Sequence, residues 1–291
     1  MKLVRFQLGD GQASAGVVVD DVVRDLGPVL AELGGDRDDL RPVLTKSKAE
    51  IAGLAQGAPA AGRVDDVRLL APVKRPGKIL ALAGNFYQEG APRTIDTAAV
   101  PPWVFMKPAT CVSGPEDEIR MPAFAPDVID EIELAVIIGR GGLNIPYERA
   151  LEHVAGYTVG NDVSGRSLAM PKERRAKDRD FWFDWLNGKW FDGFASLGPW
   201  IVLREDIPDP QNLDMEVRVN GKTKFAVNTN LMIHSVERTI EFISKITTLE
   251  TGDVIMMGVY HGPGEEEYLQ SGDVVEGEIK GIGVLRNRFV R

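Results

Sequence analysis

The segment Asp130-Glu131-Ile132-Glu133-Leu134-Ala135-Val136-Ile137-Ile138-Gly139 constrains the fold more than any other stretch of this chain. Read as a strand, residues two apart point the same way. Glu131, Glu133, Ala135 and Ile137 then share one face, and Ile132, Leu134, Val136 and Ile138 share the other. Both faces turn apolar beyond the glutamates, so the strand belongs in the middle of a sheet. Its two opening carboxylates repel each other and lose hydration unless something neutralises them. A hard divalent cation does so well, because Mg²⁺ and Ca²⁺ prefer oxygen ligands. An exposed strand end with two solvated glutamates fits the same residues, and the segment alone leaves both open.

Other strands follow the same logic. Residues 214–219 alternate with period two, directing Met215, Val217 and Val219 to the core. Asn220-Gly221 then predicts a type I′ hairpin into 223–227. Further strands are expected at 79–83, 254–257 and 274–279, and helices at 147–154 and 235–246, with Ser235 as N-cap. The order is not a regular βαβ alternation, which disfavours a doubly wound sheet. Residues 1–65 read as a small N-terminal α+β domain, with strand-like pieces, a helix over 40–54 and a small-residue linker at 57–62. The second domain covers 75–291. The expected fold class is α+β, mostly β.

Charge and rare residues bound the chemistry. There are 43 acids against 34 Lys and Arg, a net charge of −9, which argues against a nucleic-acid or anionic-membrane binder. The one cysteine, Cys111, excludes an intrachain disulfide and fits a reducing, cytoplasmic setting. Three histidines, His153, His234 and His261, make a multi-His or multi-Cys zinc site hard to assemble. Apolar runs stay far below the ~20 residues that span a bilayer.

More candidates lie nearby. Asp162, in Asn161-Asp162-Val163-Ser164-Gly165-Arg166, could complete a three-carboxylate site, and Arg166 could hold an anion bidentately. By itself the stretch reads as an Asn-Asp turn with a surface arginine. Lys107 and Lys189 sit among apolar residues, which suits a structural ion pair or a substrate contact.

Taken together, the motifs resemble the fumarylacetoacetate hydrolase family. That family carries an E-x-E strand, an N-D-V-S/T-x-R turn and K-x-x-D-x-F-x-x-x-G-P. Here stand Glu131-x-Glu133, Asn161 to Arg166, and Lys189-Trp190-Phe191-Asp192-Gly193-Phe194 with Gly198-Pro199. Phe105-Met106-Lys107-Pro108, Val219-Asn220-Gly221, Thr248-Leu249-Glu250-Thr251-Gly252-Asp253 and Tyr268-Leu269-Gln270-Ser271-Gly272-Asp273 follow the family order over about 75–291. The resemblance implies a mixed β-sandwich or β-roll catalytic domain that forms a homodimer. It implies Mg²⁺, Mn²⁺ or Ca²⁺ on Glu131, Glu133 and Asp162, with Lys189 beside the metal. It also implies a small anionic 2-oxo acid substrate, whose enolate the metal stabilises.

The chain departs from the family pattern in three places. Where hydrolases often have G-x-N-Y-x-x-H, this chain has Gly84-Asn85-Phe86-Tyr87-Gln88-Glu89, so Asn85 aligns and Glu89 replaces the histidine. Where G-T-P is common, Gly258-Val259-Tyr260-His261 stands, and Val259 cannot donate the threonine hydrogen bond. His261 or Glu89 is then the candidate base, and Tyr260, Asn85, Arg166 and Lys107 are the candidate substrate contacts. Third, 171–188 holds Lys172, Arg174, Arg175, Lys177 and Arg179, then Phe181-Trp182-Phe183-Asp184-Trp185, with the aromatics expected over the site or at the dimer interface. The default reaction is hydrolysis of a C–C bond in a 2,4-dioxo acid. Decarboxylation, tautomerisation, isomerisation or hydration on the same scaffold is the alternative, and a non-catalytic metabolite-binding protein is a third reading.

Overall fold

The computed structural model describes residues 1–170, 178–262 and 267–291. The fold is α+β and mostly β. Two sheets dominate. In the larger, the central order runs Lys2–Gln7, Ala195–Leu203, Val154–Asp162, Ile132–Ile138, Val254–Met256, Ile79–Ala83, Trp103–Lys107. The second has five strands: Lys222–Asn228, Asp214–Val219, Val274–Ile279, Gly283–Val290 and Glu118–Arg120.

The Ile132–Ile138 strand is buried along its whole length, as its two apolar faces require. Ile132, Leu134, Val136 and Ile138 enter the core shared with the five-stranded sheet, alongside Val217, Ile279, Leu285 and Phe289. Ala135 and Ile137 enter a second core under the N-terminal helices, with Leu26, Ile51 and Met256. The close approach of the sheets depends on Gly277, where a Cβ would lie 2.6 Å from the Ile132 side chain. Asn220 and Gly221 both have positive φ, 52° and 74°, as a type I′ turn demands. Ser235 caps Val236–Ile246, its hydroxyl accepting from the Arg238 N–H at 3.2 Å.

Two local expectations are corrected. The stretch at 57–62 is not a linker: Ala60–Arg63 is an edge strand paired with Val22–Asp25. Its partly exposed small residues give no alternation to read. The helix expected over 40–54 is two helices, Arg41–Leu44 and Lys48–Gly57. Ser47 restarts it through a capping box with Glu50. The strands of residues 1–75 join the larger sheet, since Lys2 pairs with Val202 and Leu3 with Ile201. Among the described residues, no helix is long and apolar enough to cross a membrane.

Candidate active site

Three acids meet at one end of the central strand pair. Glu131 and Glu133 lie at the start of Ile132–Ile138, and Asp162 ends Val154–Asp162. The antiparallel register pairs Ile132 with Asn161 and Glu133 with Gly160, which brings Asp162 alongside the glutamates. The Asp162 N–H donates to the Glu131 carbonyl at 2.8 Å, and the Asn161 side-chain oxygen accepts from the Glu131 N–H at 2.9 Å. The Asn-Asp pair therefore fastens the site together. One carboxylate oxygen from each of the three acids lies within 4.8 Å of the others, and all three residues are buried.

Two buried lysines answer these charges. Lys189 Nζ donates to Asp162 Oδ2 at 2.7 Å and to Glu131 Oε2. Burial works to depress Lys189, but Asp162 and Glu131 outweigh it and hold the ammonium above its ordinary range. Its Nζ also lies 5.2 Å from the Phe105 ring centroid and 5.4 Å from that of Trp185. Lys107 Nζ donates to Asp162 Oδ1 and, at 3.2 Å, to the Val163 carbonyl. Burial pushes Lys107 below its ordinary range; Asp162 opposes this, and Lys189 adds to it.

Glu133 stands apart. Its Oε2 accepts from the Gly258 N–H at 2.6 Å, while its buried Oε1 has no partner. Burial first, then the charges of Asp162 and Glu131, push its carboxyl well above the usual carboxylate range. An unpartnered buried carboxylate oxygen beside two more carboxylates is what a divalent cation relieves. The all-oxygen donor set suits Mg²⁺, Mn²⁺ or Ca²⁺. The residues present fit such an ion.

Gly258 is fixed by this contact. Its φ is +87°, and a Cβ would meet the Asn85 Cβ at 2.7 Å and the Leu82 carbonyl at 3.2 Å. Gly258→Ala is expected to move the N–H off Glu133 and to destabilise the fold by about 1–3 kcal/mol. Denaturant titration checks this, and an unchanged midpoint contradicts it.

A cavity of about 240 Å³ opens beside the acids, lined by Glu131, Lys189, Arg166 and His261. Trp103, Phe105, Phe181, Trp182 and Trp185 supply its apolar walls. Trp185 packs edge-on against Phe105, 4.9 Å between centroids. On the helix Asp178–Asn187, Trp185 therefore packs beside Phe105 and Lys189, and Phe181 and Trp182 line the cavity although Trp182 is 62% exposed. The basic positions Lys172, Arg174, Arg175 and Lys177 lie outside the described residues.

Other sequence candidates sit elsewhere. Lys107 is fully enclosed and pairs with Asp162, the structural ion pair that its apolar sequence context also suited. Asn85 is buried and bonded to backbone groups. Its amide donates to the Met257 and His234 carbonyls at 2.8 and 3.2 Å, and its oxygen accepts from the His234 N–H at 2.8 Å, so it clamps two loops. Tyr260 is packed edge-on between Phe86 and Phe225 and lines a neighbouring cavity. Glu89 is on an exposed loop and is not among the residues lining the cavity. Of the two candidate bases, His261 alone lines it. The sequence reading missed Trp103 and Phe105. Their signal was period two: in Trp103–Lys107 the two rings share a face with Lys107.

Residues 81–290 match the family model described as fumarylacetoacetate (FAA) hydrolase, C-terminal. The chain belongs to the fumarylacetoacetate hydrolase family. A Xenopus laevis oxaloacetate tautomerase, described as mitochondrial, is 38% identical over 229 residues, covering 77% of this chain and 69% of that one. A fumarylacetoacetate hydrolase from psychrophilic Exiguobacterium antarcticum superposes with a TM-score of 0.82 at 33% identity, covering 100% of this chain and 99% of that one. A maleylpyruvate hydrolase from Sphingobium sp. SYK-6, solved with manganese(II) and pyruvate, gives a TM-score of 0.79 at 26% identity, covering 100% and 99%. Relatives within the fumarylacetoacetate hydrolase family thus include a tautomerase and hydrolases, and membership does not choose between those reactions.

Proposed function

We propose that this protein is a divalent-metal-dependent enzyme that interconverts the enol and keto forms of a small 2-oxo acid, rather than hydrolysing a C–C bond. One observation supports this above others. Glu89, which stands where hydrolases of the family often have a histidine, is exposed and does not line the cavity, while aromatic rings wall the space beside Glu131 and Lys189. Apolar walls offer an attacking water few hydrogen-bond partners, which favours return of a proton over addition of hydroxide. The similarity to an oxaloacetate tautomerase points the same way.

A divalent cation bound by Glu131, Glu133 and Asp162 supplies charge neutralisation for a developing enolate. The protein's own groups do the rest. Lys189 keeps Glu131 and Asp162 in register, with Lys107 behind Asp162. Arg166, at the rim, attracts the substrate carboxylate. His261 removes and returns the proton next to the carbonyl. The homodimer, the cytoplasmic setting and a small N-terminal α+β domain over 1–65, its sheet shared with the rest through Lys2–Gln7, belong to this proposal as well. A hydrolytic reading is favoured by one feature, the solvent exposure of His261, which would let it activate water.

Proton NMR in D₂O separates the two. With Mg²⁺ present, the protein is expected to speed exchange of the oxaloacetate C3 protons by about 10²-fold or more. It is expected to leave an acylpyruvate uncleaved. Cleavage of the acylpyruvate without faster oxaloacetate exchange would replace this reading with the hydrolytic one.

A further inference from the structure

A second cavity, of about 510 Å³, adjoins the first. Val259 and His261 line both, so the two meet at that turn. On the wall of the second, Lys224 Nζ donates to Asp130 Oδ1 at 2.9 Å. The Asp130 side chain is 1% exposed and that of Lys224 24%. Asp130 directly precedes Glu131, so consecutive residues line the two cavities. A fourth buried acid next to Glu131, Glu133 and Asp162 is unfavourable, and an apolar residue would be less costly there. What the Asp130–Lys224 pair provides is an ammonium held at one point of the wall, with donors to spare.

The other lining groups leave that ammonium in command. Phe225 and Tyr260 form an apolar wall, edge-on at 5.5 Å. Asp273 is engaged, accepting from the Asn220 amide at 2.8 Å and the Gln270 N–H at 2.7 Å. Lys222 and Glu267 are exposed, one of each sign.

We propose that this cavity is the distal compartment of the active site and that Lys224 is its specificity-determining residue. It takes the far end of an extended 2-oxo acid and selects chains that end in a carboxylate. The methylene chain lies against Phe225 and Tyr260, and the terminal carboxylate meets Lys224. The inference rests on the 2-oxo acid reading above.

Calorimetry on the Mn²⁺-loaded protein tests it with three probes: oxalate, 2-oxoadipate and 2-oxohexanoate. The last two differ only in carrying a terminal carboxylate or a methyl group. 2-Oxoadipate is expected to bind about 10-fold tighter or more. The preference should vanish in Lys224→Met and persist in Lys224→Arg. In the wild type, 2-oxoadipate should also slow acetylation of Lys224, read by peptide mass spectrometry, while 2-oxohexanoate should not; this readout does not depend on a variant folding. Equal binding of the two probes, equal protection, or a preference that survives Lys224→Met overturns the proposal. If oxalate binds and the preference is absent, only the distal compartment falls. If oxalate does not bind either, the 2-oxo acid reading falls with it.

Discussion

Glu133→Gln is expected to weaken divalent-metal binding by more than about 100-fold while leaving the fold in place, since even residues that merely support a ligand are worth 10- to 100-fold. The metal-free protein should tolerate the change well. Glu133 Oε1 has no partner, and burial together with Asp162 and Glu131 already raises the carboxyl's pKa, so removing its charge relieves repulsion. The side-chain oxygen of Gln can still accept from the Gly258 N–H. Thermal unfolding without metal should show a midpoint equal to or above that of the wild type. Isothermal calorimetry with Mn²⁺ should show the lost affinity. Glu131→Gln should abolish metal-dependent turnover in the same way, although it also removes a partner of Lys189. Wild-type affinity in Glu133→Gln would mean that the metal, if any, sits elsewhere.

Lys189→Met should be the most destabilising single change at the site. Lys189 is buried and touches both Glu131 and Asp162. Removing it takes an ammonium from both carboxylates, while Lys107 still bonds Asp162. Breaking a buried ion pair by deleting one partner costs about 3–5 kcal/mol. A divalent ion supplies part of the missing charge, so the deficit should shrink when Mn²⁺ is added. Urea titrations of both proteins, with and without Mn²⁺, measure this. A loss below about 1 kcal/mol without metal would show that Lys189 does not neutralise the acids.

These effects were partly visible in the sequence. The faces of 132–138 could be assigned because the side-chain period in a strand is two, and both cores contain the residues that alternation assigns to them. Asn220-Gly221 and Ser235 were readable because turn and cap chemistry is local. The partners of Lys107 and Asn85 were not. Each is a polar residue whose partners are remote in sequence: Lys107 meets Asp162, and Asn85 meets His234 and Met257. Composition cannot separate a polar group committed to the backbone from one facing a ligand. Ala60–Arg63 escaped notice because an edge strand of small residues has no buried face to alternate. Glu133's orphaned oxygen depends on the Gly258 N–H occupying its other one, which only the folded chain shows.

Glu131, Glu133 and Asp162 are expected to hold one divalent cation between them. Crystals grown with Mn²⁺, measured at a wavelength where manganese scatters anomalously, test it most directly. One strong peak is expected among the three carboxylates, bonded to each at about 2.0–2.2 Å, as small divalent ions bond oxygen. A crystal that binds Mn²⁺ elsewhere while Glu133 Oε1 remains without a partner would contradict it.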